Sequence, residues 1–201
     1  ASARRYSRVR ADFSTGIRLS SVIVVPAALL LAVLGAPLAE MLFGHGNESL
    51  ANAHFIGEVF AVFSLGLVPY MTFQLLLRVF YSLHDSRTPF LIGLVTMTTN
   101  ITLNVIALNV LPAGRVIEGL AAGFGLSNLV GAILAWRLLI RRVGSLDGRA
   151  VTRSLVKMHV AAIPAALFAI EISFAVGVII HPGFAFGLIT VVLGACGGLL
   201  L

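Results

Sequence analysis

Seven polar side chains interrupt an otherwise apolar stretch between Phe90 and Leu111, and their types suit the binding of a small cation or a polar head group. They are Thr96, Thr98, Thr99, Asn100, Thr102, Asn104 and Asn109. Asn100 and Asn104 are four residues apart, which places both amides on one face of a helix. These groups can bind a cation or form hydrogen bonds between helices. Because the set contains no carboxylate, it favours interhelical hydrogen bonds.

Three further polar side chains within apolar stretches are candidates for a substrate path or an ion site. Gln74 and Arg78 are also four residues apart, and the Arg78 guanidinium can hold a phosphate bidentately or extend to the membrane interface. Glu171 would be a protonatable site, the partner of a helix outside this chain, or a group that reaches water. Glu40 and Glu58 lie near the ends of apolar stretches, where we expect them at the interface.

The sequence contains no pattern typical of an enzyme or a metal centre. A Gly-rich phosphate loop, a His-Glu zinc helix, a nucleophile elbow and a carboxylate pair with acid/base spacing are all absent. His45, His54 and His181 share no ligand spacing. We therefore predict no catalytic residues, no metal and no cofactor.

The elements that position these side chains are membrane helices. Hydrophobic residues make up 59% of the 201-residue chain, charged residues only 11%, and the mean hydropathy is +1.03. The length of the apolar stretches predicts helices rather than barrel strands, since about 20 residues cross the hydrocarbon core as a helix. We predict an all-α bundle of six spans, which cover roughly residues 17–43, 55–83, 90–111, 117–137, 155–180 and 184–201.

The basic residues predict the orientation of these spans. All of the 14 basic residues except Arg115 lie at the N-terminal end, up to the start of the first span, or in and beside the connections after the second and fourth spans. Because Lys and Arg are retained on the cytoplasmic side, the N-terminal end is expected in the cytoplasm. The net charge of +6 then reflects topology, and we predict no nucleic-acid partner.

Small residues and prolines indicate how the spans pack and bend. Gly119, Gly123, Ser127 and Gly131 recur every four residues, forming a face along which another helix can approach closely. This face is either an ordinary helix contact, which we favour, or a sliding surface. Four prolines within spans permit kinks, and turns are expected at residues 44–47, 111–114 and 181–183. The four are Pro26, Pro37, Pro69 and Pro164.

A charged hinge separates the second and third predicted spans. Asp85 or Ser86 can cap the helix that follows, and Pro89 is placed near its first turn, where a missing N–H costs nothing. The stretch Arg78-x-Phe80-Tyr81-Ser82-x-x-Asp85-x-Arg87-Thr88-Pro89 resembles a loop motif of the MurJ/MviN family of lipid II flippases, within the multidrug/oligosaccharidyl-lipid/polysaccharide exporter superfamily. Flanking features from Pro26 to Gly119-Leu120-Ala121 match that family's spacing, so the resemblance covers about residues 13–142 well.

The resemblance implies that these spans are helices nine to fourteen of a fourteen-helix flippase. The first four would belong to its second lobe, and the last two would be extra helices that form a groove for the polyprenyl tail. The lobes rock around a cationic cavity and carry the lipid-linked peptidoglycan precursor from the cytoplasmic to the external leaflet of the bacterial inner membrane. The family's best-known cavity residues lie on helices that would precede Ala1, and we expect more protein on both sides of the chain.

Two further expectations come from the same resemblance. Some members hold sodium at positions that match Asn100 and Asn104, but this chain has an amide at Asn104 and Phe124 in place of a hydroxyl, which counts against such a site. Many actinobacterial relatives carry a cytoplasmic kinase-like domain after the membrane part, which makes a regulatory domain or protein a further partner alongside membrane lipids. The alternative functions are export of drugs or other lipid-linked oligosaccharides, and a non-transporting scaffold for cell-wall regulators.

Overall fold

The computed structural model describes residues 2–43, 50–144, 148–181 and 183–200. Helices dominate these residues, joined by short turns and one 3-10 turn at Ala113–Arg115. The helices are α1 (Ser2–Phe43), α2 (Leu50–Leu65), α3 (Leu67–Ser82), α4 (Arg87–Val110), α5 (Val116–Val143), α6 (Gly148–Ile179) and α7 (Phe184–Leu200). The turn predicted at residues 44–47, which includes His45, and Pro182 of the turn at 181–183 lie outside the described residues.

Within the described residues, four helices are long and apolar enough to cross a membrane, and α2 and α3 would add a fifth crossing if the bent pair forms one span. Large apolar side chains of α4 are exposed along its whole length, from Phe90 at 65% to Val110 at 73%. Such a surface suits lipid, because water would not solvate it. The chain is therefore an all-α, multi-pass membrane protein, as predicted, while the six crossings stay a prediction because the apolar part of α7, Phe184–Gly197, is shorter than the other spans.

The second predicted span consists of two helices, α2 and α3, rather than one continuous helix. Pro69 explains the break: it has no N–H to donate to the Leu65 carbonyl, and its ring collides with that carbonyl in a regular helix. Gly66 lies at the break, and its own carbonyl accepts from the Tyr70 amide at 3.0 Å. By contrast, α1 continues through Pro26 and Pro37, and α6 continues through Pro164.

The helices form two compact units, the first of which contains residues 1–24 and 66–157. Its core is a cluster of buried apolar side chains from α1, α3, α4, α5 and the start of α6, in which Ile17, Leu76, Phe80 and Leu139 are among the most buried. Phe13 and Trp136 pack with ring centroids 5.8 Å apart and link α1 to α5. All 14 basic residues belong to this unit.

The small-residue face of α5 packs against α4 in this first unit. A Cβ atom on Gly131 would lie 2.5 Å from Thr96 Oγ1, and one on Gly123 would lie 2.8 Å from Asn104 Oδ1. Gly119 lies against Ala107 and Leu111, and Ser127 contacts Asn100. The four small residues therefore lie at a close contact between α4 and α5.

The second unit contains residues 25–65 and 158–201, and small residues again allow close approach. Gly35 and Gly57 bring the backbones of α1 and α2 together, since a Cβ on Gly57 would lie 2.6 Å from the Ala36 nitrogen. Gly187 of α7 packs on α1 near Pro37 and Met41. Because glycine lacks a Cβ, these helices pack backbone to backbone, which is the usual means of attraction between helices in lipid.

Candidate functional site

The two asparagines of α4 take part in a hydrogen-bond chain that reaches α5. The Asn104 amide donates to Asn100 Oδ1 at 3.1 Å, and the Asn100 amide donates to Ser127 Oγ at 3.3 Å. Ser127 in turn donates to the Phe124 carbonyl at 2.9 Å. Thr96, Thr99 and Thr102 donate to carbonyls of their own helix. This arrangement supports the interhelical hydrogen-bond alternative for the polar face.

Within this hydrogen-bond network, the buried Asn104 Oδ1 has no hydrogen-bond partner among the described residues. Gly123 lies opposite it, and Phe124 turns its ring toward Tyr70, at a centroid distance of 5.7 Å. No hydroxyl stands at position 124 to join Asn104 in holding a cation. The local donor set is thus two amides and one serine, which are weak ligands for a hard cation.

Arg78 and Gln74 line a groove between α1 and α3 in the first unit. Gln74 and Arg78, together with Ser20 and Tyr70, line a cavity of 560 Å³. Arg78 also lines a second cavity of 310 Å³, as does Asp12. The Arg78 side chain is exposed and forms no ion pair with any residue that the structure describes. The guanidinium is therefore available to an anion in this groove.

The hinge motif forms a tight turn between α3 and α4. The Asp85 amide donates to the Phe80 carbonyl at 3.1 Å, and the His84 amide donates to the Tyr81 carbonyl at 2.9 Å. His84 has φ of 60°, a left-handed conformation in which glycine is usual. This is the Schellman pattern of helix termination. Phe80 and Pro89 are buried, whereas Tyr81 and Arg87 are exposed.

Asp85 caps α4, whereas Ser86 makes no capping hydrogen bond through its side chain. Asp85 Oδ1 accepts from the Arg87 and Thr88 amides, each at 3.1 Å, and Asp85 Oδ2 forms an ion pair with Arg142 at the end of α5. Hydrogen bonds from the Thr88 hydroxyl and amide, with a smaller effect of Arg142, lower the pKa of Asp85 from 3.8 to about 2. The carboxylate therefore stays ionised at any physiological pH.

Replacing Asp85 with alanine is expected to lower the melting temperature of the purified protein by about 3 °C, because the first turn of α4 loses its cap. Arg142→Gln, which removes only the exposed ion pair, is expected to have a smaller effect. Because the pKa of Asp85 is lower in the folded state, its ionised carboxylate stabilises the fold above pH 4. This stabilisation is lost as the pH falls through about 2. Equal effects of the two substitutions would contradict the capping role.

The remaining predicted site residue, Glu171, lies in the second unit and is exposed. Glu40 lies in the same unit, is only 7% exposed and accepts from the Gly183 amide at 3.1 Å. Burial follows because the turn before α7 folds back on the end of α1. Glu58 is about half exposed and pairs with His54 at 3.5 Å.

Sequence reasoning did not find the partner of Asp85 or the residues that complete the Arg78 groove. Arg142 is 57 residues from Asp85, and its only signal is its position in the basic last turn of α5. Ser20 and Tyr70 join Arg78 and Gln74 only because α1 and α3 pack side by side. Neither residue has a sequence spacing that points to the groove.

Comparison with known proteins identifies the family. The model of the family described as lipid II flippase MurJ matches residues 1–193. A probable lipid II flippase MurJ of Haemophilus influenzae is 31% identical over 140 residues, which cover 70% of this chain and 26% of that protein. A protein of the same description in Vibrio cholerae is 33% identical over 45% of this chain and 17% of that protein. Another in Rhizobium meliloti is 26% identical over 60% of this chain and 23% of that protein. The chain spans 17–26% of the length of these relatives, and it belongs to the MurJ family of lipid II flippases.

Proposed function

We propose that this chain is part of a flippase that moves lipid II, the lipid-linked peptidoglycan precursor, from the cytoplasmic to the external leaflet by alternating access. The family match over residues 1–193 carries this proposal. The activity belongs to a larger protein, since the chain spans only part of its relatives. The described residues would supply helices of one lobe together with the rigid turn between α3 and α4.

The Arg78 groove supports a direct contact with substrate. A lipid-linked precursor carries phosphates, and a guanidinium forms two parallel hydrogen bonds with a phosphate. Gln74 and Ser20 add amide and hydroxyl groups that can bind sugar or phosphate oxygens. The α4 network would hold α4 in a fixed register against α5, the helix that packs on α3.

The proposal includes an orientation in the bacterial inner membrane. Within the first unit, basic residues lie at the end of α3, the start of α4, the end of α5 and the start of α6. Examples are Arg78, Arg87, Arg141 and Arg153. This clustering supports a cytoplasmic location for these helix ends and for the N-terminal end of the chain.

Arg78→Ala in the full-length protein is expected to lower the transport rate about tenfold, since a hydrogen bond to a charged group contributes about 1.5–3 kcal/mol. Asn104→Leu is expected to reduce transport less, through the α4–α5 contact. The measurement is growth of cells depleted of their own flippase, together with the amount of each variant in the membrane.

Matched controls are available for both positions. Arg87→Ala removes an exposed arginine at the same end of the bundle, and Thr102→Val removes an exposed hydroxyl that bonds only within α4. Both controls are expected to grow like the wild type. Full growth with Arg78→Ala at a normal membrane level would refute a substrate contact at Arg78, and full growth with the double variant would favour a scaffold without transport.

A further inference from the structure

An apolar groove separate from the Arg78 cavities lies between α3, α5 and the start of α6. Its volume is 340 Å³, within the range of pockets that hold small ligands. Val68 of α3 and Leu129 and Ile133 of α5 form its apolar part, and Arg137 lies at one end. Leu129 and Ile133 are 42% and 45% exposed, so the groove is open at the surface of the first unit.

The groove changes from apolar to cationic along α5. Leu129, Ile133 and Arg137 follow one another at four-residue intervals, so they share one helix face and span about 12 Å. Arg137 lies toward the basic end of the helix. An amphipathic ligand with an apolar tail and an anionic head matches this order of side chains.

More positive charge surrounds the Arg137 end. Arg141 of α5 is exposed, and exposed Arg153 and Lys157 of α6 line a neighbouring cavity of 520 Å³. Within the described ranges, none of these cations forms an ion pair with an acidic side chain. Basic pockets between membrane helices on the cytoplasmic side are typical binding places for acidic lipid head groups.

The chemistry of the groove favours a lipid as its occupant. An acyl chain suits the apolar part, because it has no polar backbone to satisfy in lipid. The cations at the Arg137 end match an anionic head group.

We propose that this groove binds an anionic phospholipid, with an acyl chain along Leu129 and Ile133 and the phosphate on Arg137. The guanidinium matches the phosphate oxygens in geometry and charge, and Arg141 lies close enough along α5 to add to the field. The proposed occupant is a membrane phospholipid rather than a transported substrate, and the proposal does not rest on the flippase activity.

Trp136 provides a direct test, because it lines the groove and is the only tryptophan of this chain. The full-length protein in detergent is titrated with phosphatidylglycerol or phosphatidylcholine whose acyl chains carry bromine, which quenches tryptophan on contact. Subtracting the signal of a Trp136→Phe variant isolates Trp136. We expect stronger quenching by brominated phosphatidylglycerol than by brominated phosphatidylcholine.

Substitutions then separate head-group from tail contacts. Arg137→Gln is expected to weaken phosphatidylglycerol binding about fivefold, and Ile133→Phe to reduce quenching by filling the groove. Arg115→Gln, the same charge change at the other end of α5, is expected to leave binding unchanged. The proposal would be overturned if the two lipids quenched Trp136 equally and Arg137→Gln did not change that quenching. It would also be overturned if neither lipid quenched Trp136, which would mean that protein covers the groove.

Discussion

Gly57→Leu is expected to destabilise the protein by about 3 kcal/mol, at the upper end of the usual cost of overpacking. A Cβ at this position would lie 2.6 Å from the Ala36 nitrogen and 2.9 Å from the Gly35 carbonyl carbon. Both are backbone atoms of α1, which cannot turn aside as a flexible side chain can. The two helices must separate, and the packing between them is lost. Thermal unfolding of the purified full-length protein measures the effect.

Gly93→Leu is the matched control for this substitution. Gly93 is also helical, but nothing lies within 4 Å of a Cβ built there. Leucine has a higher helix propensity than glycine by about 0.8 kcal/mol, so the Gly93 variant should be as stable as the wild type or slightly more stable. A loss of stability at Gly93 equal to that at Gly57 would show that the close helix contact is not the cause.

Gly131→Ala is expected to cost about 2 kcal/mol, because the new methyl group would collide with Thr96 and the Phe73 ring. The added Cβ would lie 2.5 Å from Thr96 Oγ1 and 3.1 Å from two Phe73 ring carbons. Thr96→Ala alone should cost less than about 1 kcal/mol, since its hydroxyl bonds only to Ile92 of the same helix. The double variant should then recover at least half of the Gly131→Ala loss.

The double-mutant cycle distinguishes this contact from a general intolerance of α5. Additive losses in the double variant would mean that Thr96 does not limit the approach of α5 to α4. Pairing Gly131→Ala with Thr99→Ala provides a control, because the Thr99 hydroxyl also bonds within α4. That pair is expected to be additive.

Local patterns in the sequence predicted much of the architecture, because helices in lipid depend on short-range spacing. The predicted span at 90–111 is α4 (Arg87–Val110), and the four-residue interval of small residues marked the side of α5 that packs closely. The spacing of Asn100 and Asn104 likewise predicted their shared face. These features follow from helix geometry alone.

Features that depend on distant parts of the chain were beyond sequence reasoning. The Asp85–Arg142 ion pair joins two helix ends that only the folded bundle brings together. The turn before α7 covers Glu40, a contact between residues 143 positions apart that no local spacing indicates. Pro69 did signal a kink, yet its effect on the helix depended on Gly66 and on the close approach of Gly125, whose Cβ would lie 3.1 Å from the Gly66 Cα.

The break between α2 and α3 has a consequence for biosynthesis. Each of the two helices has 16 residues, a length of about 24 Å, which is shorter than the roughly 30 Å hydrocarbon core. Neither helix alone is long enough to cross that core, so the two would have to enter the bilayer as one unit to form a span. Gly66 and Pro69 would then define a bend within the membrane, and the close approach of Gly125 to Gly66 supports it.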